Sequence, residues 1–314
     1  LKEKKMLQDR HYFLQQKLNK ALNIALNSYE QRANIESNKQ FQRLEETTQV
    51  LTPETGRHEI VKTRLSHSNE VATSAMIMAS HIAKLLKLNV FDVDYQQALE
   101  NTCLLHDLGH PPFGHDGADM INDFIVELGL EEGFDDNNNN LVTLDKNQIE
   151  VSNYVKASLI KYPEKLYDNQ NNYQLVLNDS IEADRLHFLN LGIKLEKQTR
   201  TITCQIMDEA DRNSYVCSDL ADFFCLGGSV TEEQLSKVKG YNELNENVLS
   251  MVKEFHDTMI NGTKSSIKNY FNLLKNKFNC SYSITEKGLV ETEIDLIAFR
   301  EFLSKVEFEF FIKP

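Results

Sequence analysis

Residues 94–115 read DYQQALENTCLLHDLGHPPFGH, and this stretch decides how the surrounding chain folds. Its inward candidates recur at helical spacing, at Ala98, Leu99, Thr102 and Leu105. This pattern predicts a helix from about Asp94 to Asp107. The helix must end by Gly109, because the prolines at 111 and 112 lack backbone donors and disfavour helical dihedrals in the residue before them. A rigid loop with three histidines therefore follows an apolar helix directly.

The rest of the chain is also dominated by helical periodicity. Apolar side chains at spacings of three and four predict a helix that begins near His67 and runs to Leu88. Further helices are predicted at about 148–160 and 175–191, whereas the acidic, Asn-rich stretch 131–140 is typical of a solvated loop. Alternation around 280–294 predicts a hairpin, and the terminal FEFFI predicts one more strand. The predicted fold class is mainly α, a helical bundle with a small mixed α/β C-terminal portion.

Composition excludes several classes of function. The chain has 314 residues and a formal net charge of −13, and a surface this acidic repels duplex DNA and anionic lipid. It is 41% hydrophobic and 26% charged, which is typical of a folded protein. It contains no apolar run of about 18 residues, and its five cysteines form no CxxC pair. We therefore expect a cytoplasmic protein that binds neither membrane nor duplex DNA.

Four side chains from three stretches are candidates for a metal site. His67 begins one helix, and His106 and Asp107 end the next. Asp184 is the best fourth candidate, because aspartate has a poor propensity for a helix interior and needs a reason to be there. Two imidazoles with two carboxylates suit Mn, Fe, Mg or Co. The alternative is that each histidine is only a cap or a core residue. The crowding of histidines and glycines around the double proline favours a site.

The sequence around these residues resembles that of a known protein family. The ordered set His67, His106, Asp107 and Asp184 resembles the HD superfamily of metal-dependent phosphohydrolases. RLSHSNEVA at 64–72 and HDLGHPPFGH at 106–115 are similar to motifs of its deoxynucleoside triphosphate triphosphohydrolases, the dGTPase-like proteins. Weaker similarities extend the resemblance over roughly residues 35–190: FQRL at 41–44, TQV at 48–50, FDDNNNNL at 134–141 where the family has FEGNAQ, KYP at 161–163, and EADRLHF at 182–188 where it has ADDIAY.

The resemblance implies roles for individual residues. It assigns the four candidates above to a divalent metal ion, Arg64 to the triphosphate and Gln49 to the sugar or base. Arg64 also lies one helical turn from His67, so both can face one ligand. Lys161 and Arg185 are further phosphate candidates, with a surface role as the alternative. His115 and His110 of the loop are candidates for the general acid or proton relay. Phe188 stands where the family has tyrosine, at a substrate-binding position.

The implied function is metal-dependent hydrolysis of a deoxynucleoside triphosphate, dGTP or several dNTPs, to deoxynucleoside and triphosphate. The alternatives are an HD phosphohydrolase of nucleoside monophosphates and a dNTP-binding regulator without turnover. The family commonly assembles, so a homo-oligomer is expected. The predicted organisation is an N-terminal helical segment, an HD-type catalytic core and a C-terminal helical and α/β portion, at residues 1–34, 35–200 and 201–314.

One position departs from the family pattern. The family has a carboxylate three positions after the loop histidine, in a pattern like HxGE, whereas this chain has Ala118 three positions after His115. The loss of a carboxylate that supports a metal site commonly costs about 10–100-fold. Three interpretations are open: Asp116 or Asp119 substitutes, the protein binds nucleotide but cleaves it slowly, or Ala118 is an introduced change.

Overall fold

The computed structural model describes residues 28–47, 62–88, 93–129, 133–166 and 171–312. Within these ranges the fold is mainly helical, with one small sheet, and the predicted fold class is confirmed. The helices in chain order are α1 Ser28–Ser37, α2 Lys39–Gln42, α3 Arg64–Leu85, α4 Val93–Leu105, α5 Gly114–Glu127, α6 Asp136–Lys146, α7 Asn153–Ser158, α8 Asn171–Asn190, α9 Ile202–Cys225, α10 Glu232–Lys237, α11 Glu246–Asn261, α12 Lys264–Asn279 and α13 Ile294–Glu307.

Several elements match the sequence expectations, two differ in type, and the helix predicted at 148–160 is confined to Asn153–Ser158. The predicted hairpin is present as β1 Tyr282–Thr285 and β2 Gly288–Glu291, paired antiparallel. The expected terminal strand at Phe308–Ile312 is wrong, because these residues continue α13 as a turn of π-helix. The loop expected at 131–140 is also wrong in part, because residues 136–140 form the start of α6.

Two apolar cores hold the helices together, and helix α9 belongs to both. In its first half Ile202 and Met207 are fully buried in the core that includes α3, α4 and α8. In its second half Val216 and Phe224 pack into the core formed with α11, α12 and α13. Helix α9 therefore contributes side chains to both cores. The domain boundary predicted at residue 200 stays a prediction.

No helix within the described ranges has both the length and the apolar composition needed to cross a bilayer. The cytoplasmic location expected from the sequence stays a prediction.

A partly buried carboxylate joins three of the long helices. Glu70 of α3 accepts hydrogen bonds from Lys62 Nζ at 2.6 Å and from Ser218 Oγ of α9 at 2.9 Å. It also pairs with Lys275 of α12. Burial alone would raise the pKa of Glu70, but the two lysine charges outweigh it and lower the pKa to about 2.

We expect the substitution Glu70→Gln to lower the free energy of unfolding by about 3 kcal/mol at pH 7. The folded pKa of about 2 lies below the ordinary 4.5, so this stability is present above pH 4.5 and is lost as the pH falls toward 2. Urea unfolding of both proteins between pH 3 and 7 measures it. A difference that does not shrink on acidification would contradict the ion-pair explanation.

Candidate metal and phosphate site

The first turn of α3 supplies two buried side chains. Thr63 caps this helix by accepting a hydrogen bond from the backbone N–H of Ser66. Arg64 and His67 follow one helical turn apart, each only 4% exposed. Two polar side chains this deeply buried need partners, and both find them across the core. The first turn of α3 therefore presents a guanidinium and an imidazole to the same place.

The second contribution comes from the residues that follow α4. His106 and Asp107 are buried directly after Leu105, the last residue of that helix. The Nδ1 of His106 lies 2.7 Å from the carbonyl oxygen of Cys103, to which it donates. This contact orients the ring and directs Nε2 at the other members of the site. One ligand atom from each of His67, His106 and Asp107 lies within 4.8 Å of the others.

Helix α9 supplies the carboxylate that completes this group. Asp211 Oδ1 lies 3.0 Å from His67 Nε2 and 3.5 Å from His106 Nε2. On its other side Asp211 Oδ2 lies 3.3 Å from Lys161 Nζ, which also pairs with Asp208 at 2.9 Å. The structure therefore brings together His67, His106, Asp107 and Asp211, hereafter the HD cluster.

The structure does not bring Asp184, the predicted fourth ligand, into this group. Asp184 accepts hydrogen bonds from Tyr95 Oη at 3.1 Å, from Tyr154 Oη at 2.6 Å and from the backbone N–H of Ile202 at 2.7 Å. It is fully buried, and burial raises its pKa to about 7 against these hydrogen bonds. The reason for an aspartate inside α8 is therefore structural, because it holds the first residue of α9 in place.

The charges of the HD cluster depend on one another. Burial lowers the pKa of His106, but the carboxylates of Asp107 and Asp211 outweigh it and raise the pKa to about 9. Burial raises the pKa of Asp211, but Lys161 and His106 outweigh it and hold the pKa well below its ordinary value. The carboxylates are thus ionised and ready to bind a cation.

The Asn-rich helix α6 braces the loop that carries the histidines. Asn140 donates to the carbonyl oxygen of His106 at 2.7 Å, and Asn139 donates to that of Gly109 at 2.7 Å. A Cβ atom at Gly109 would lie 2.3 Å from the carbonyl oxygen of Asp136, so only glycine allows this approach. These amide contacts offset the weak helix propensity of asparagine.

Two cations and one further histidine border the HD cluster. Arg64 Nη1 donates to Asp107 Oδ2 at 2.9 Å, and its buried Nε has no hydrogen-bond partner within the described chain. His110 Nδ1 lies 3.4 Å from Asp107 Oδ1, and its Nε2 lies 2.9 Å from Asp136 Oδ2. Arg43 donates to the carbonyl oxygens of Leu108 and His110, each at 3.3 Å.

The other predicted site residues lie elsewhere or cannot be placed. Arg185 pairs with Glu182 at 3.4 Å and donates to the carbonyl oxygen of Glu196. Phe188 is fully buried and packs edge-on against Tyr95. Both residues contact the scaffold, and their roles in substrate binding stay predictions. Gln49 lies outside the described residues, and so does the side chain of His115.

Comparison with known proteins agrees with this geometry. The HD domain family matches residues 64–215, a range that contains every member of the HD cluster, including Asp211. The chain contains an HD domain. The resemblance to HD-domain, dGTPase-like proteins that the sequence motifs indicate is therefore confirmed.

Three curated relatives named deoxyguanosinetriphosphate triphosphohydrolase-like protein are similar to this chain. One from Shewanella oneidensis is 27% identical over 240 residues, 62% of this chain and 53% of the relative. One from Ralstonia nicotianae is 29% identical over 245 residues, 72% of this chain and 57% of the relative. One from Ralstonia pickettii is 32% identical over 199 residues, 63% of this chain and 45% of the relative. The HD-domain protein spans about half the length of these relatives.

Proposed function

We propose that this HD-domain protein is a metal-dependent phosphohydrolase that cleaves a deoxynucleoside triphosphate, dGTP or several dNTPs, to deoxynucleoside and triphosphate. The single observation that carries this proposal is the HD cluster beside the buried Arg64. The names of the relatives support the choice of substrate.

The residues of the HD cluster fit a divalent ion of the Mn, Mg, Fe or Co type. His106 Nε2 is buried and has no hydrogen-bond partner among the described residues, although two carboxylate oxygens lie 3.5 Å from it. Such a nitrogen is costly to bury unless something binds it. Two imidazoles and two carboxylates would hold the ion. When bound, the ion would polarise a phosphoryl oxygen and lower the pKa of water.

The neighbouring side chains supply the remaining functions. Arg64 presents a rigid, permanently charged fork for phosphate oxygens, and its Nε is available for a further hydrogen bond. Lys161 adds a second positive charge beside Asp211. Against a net charge of −13, these local cations are what would let a polyanion bind. Among the two loop histidines proposed as proton donors, His110 is the one whose side chain is described. It could donate a proton to the leaving 5′ oxygen, because it lies beside Asp107 of the HD cluster.

The test is product analysis with the purified chain, Mn²⁺ and a panel of dNTPs. We expect deoxynucleoside and intact triphosphate, identified by chromatography. Orthophosphate released from dGMP, with dGTP intact, would instead support a monophosphate hydrolase. Saturable dGTP binding without product would support a non-catalytic regulator, an alternative that Ala118 keeps open. His106→Ala serves as the control, since it should lose both the ion and the product.

The expected homo-oligomer is a separate proposal, tested by analytical ultracentrifugation.

A further inference from the structure

The histidine loop has Ala118 where the family has a carboxylate, but one of its histidines has a carboxylate partner elsewhere in the chain. Asp119 is exposed on α5, and the side chain of Asp116 lies outside the described residues. A different acid, Asp136 at the start of α6, contacts a loop histidine directly: its Oδ2 lies 2.9 Å from His110 Nε2. This contact joins two segments that are 26 residues apart in the sequence.

The carboxylate of Asp136 is held in one orientation. Its Oδ1 accepts hydrogen bonds from the backbone N–H and from the side-chain amide of Asn137, both at 2.9 Å. This leaves Oδ2 directed at His110, and the Asp136 side chain is only 15% exposed. Asp136 is also the first residue of α6, so its backbone position is set by the start of that helix.

The helix that carries Asp136 is fixed to the histidine loop itself. The backbone N–H of Gly109 donates to Asn140 Oδ1, and Asn139 and Asn140 donate to loop carbonyl oxygens at 2.7 Å. The close approach of Gly109 to the Asp136 backbone leaves no room for a side chain between them. Asp136 therefore cannot move away from His110 without breaking the support of the whole loop.

Both ring nitrogens of His110 thus lie near carboxylates, Nε2 near Asp136 and Nδ1 near Asp107 of the HD cluster. We propose that Asp136 is a positioning residue: its carboxylate holds the His110 imidazole in the orientation that faces phosphate at the HD cluster. This inference rests on the proposed function for its catalytic consequence, but the ring orientation it describes can be measured without substrate.

The first experiment measures that orientation directly. We compare the imidazole ¹⁵N spectra of the full chain and of Asp136→Ala, with the His110 signals assigned by His110→Gln. The His110 nitrogen shifts are expected to move in Asp136→Ala and to stay near the wild-type values in Asp145→Ala, because Asp145 lies on the same helix but pairs with other residues. Unchanged His110 shifts in Asp136→Ala would overturn the proposal, even if the wild-type protein proves active.

The second experiment measures the consequence for turnover. With dGTP and Mn²⁺, Asp136→Ala is expected to lower kcat by about 10–100-fold at unchanged KM and unchanged metal content. Asp145→Ala is the matched control, because Asp145 lies on the same helix but pairs with Lys156 and Tyr173. An equal loss in Asp145→Ala, or loss of the ion in Asp136→Ala, would overturn the positioning role.

The two proposals fail in distinguishable ways. If the wild-type protein releases no product while the His110 signals move in Asp136→Ala, the proposed function fails and the positioning role stands. If the wild-type protein releases triphosphate while kcat and the His110 signals are the same in Asp136→Ala, the positioning role fails and the proposed function stands.

Discussion

Replacing Asp211 by alanine is expected to remove the divalent ion and to lower the rate of phosphohydrolysis by at least about 100-fold. The Asp211 carboxylate is the group that reaches both imidazoles, at 3.0 Å from His67 and 3.5 Å from His106. Without it, two buried imidazoles and one carboxylate remain, and the ion loses a negatively charged ligand. Elemental analysis of the purified variant and triphosphate release from dGTP measure the two effects.

The matched control is Asp184→Asn, which removes the carboxylate that sequence reasoning places at the metal. We expect this variant to keep its ion, because Asp184 bonds Tyr95, Tyr154 and the backbone of Ile202. It should instead lower the free energy of unfolding by about 1–3 kcal/mol, since an amide cannot satisfy all of these donors. An Asp211→Ala protein with full metal content, or an Asp184→Asn protein without its ion, would contradict the HD cluster described here.

The choice between these two aspartates could not be made from helix propensity. The tetrapeptide Glu-Ala-Asp-Arg occurs twice, at 182–185 in α8 and at 209–212 in α9. Both copies place an aspartate inside a helix, so the argument that such a residue needs a function applies equally to both. One signal does separate them: the second copy continues to Tyr215, which matches the tyrosine of the family's ADDIAY segment, whereas the first reaches Phe188. The apparent replacement of tyrosine by Phe188 therefore follows from the same misplaced match.

The local part of the site was predictable, and the part that depends on long-range contacts was not. The helix over residues 64–85, the end of α4 and the histidine loop follow from periodicity, capping and the double proline. The contacts of Asn139 and Asn140 do not, because asparagine runs are equally typical of loops and only the docked loop supplies the carbonyl oxygens. Asp136 was missed for the same reason, since its partner His110 lies 26 positions earlier.

Replacing Arg64 by alanine is expected to lower kcat/KM for dGTP by about 100-fold or more. The Arg64 guanidinium is 4% exposed, donates to Asp107 at 2.9 Å and keeps a buried Nε without a partner within the described chain. Its loss removes a charge-assisted donor to phosphate from a site that little water reaches, where such contacts are strongest. Steady-state kinetics with dGTP, together with metal analysis, measure the effect.

Two further variants decide whether this loss reflects phosphate binding. Arg185→Ala removes an arginine that pairs with Glu182 near the surface, so its kcat/KM should stay within about twofold of the wild type. Arg64→Lys keeps the charge and the pairing with Asp107 but loses the planar fork, so we expect a smaller loss that appears mainly in KM. If Arg64→Ala instead lost its ion, its role would be to hold Asp107, because a carboxylate without its guanidinium partner is free to move away from the imidazoles. An ion content equal to the wild type with a raised KM leaves phosphate binding as the remaining cause.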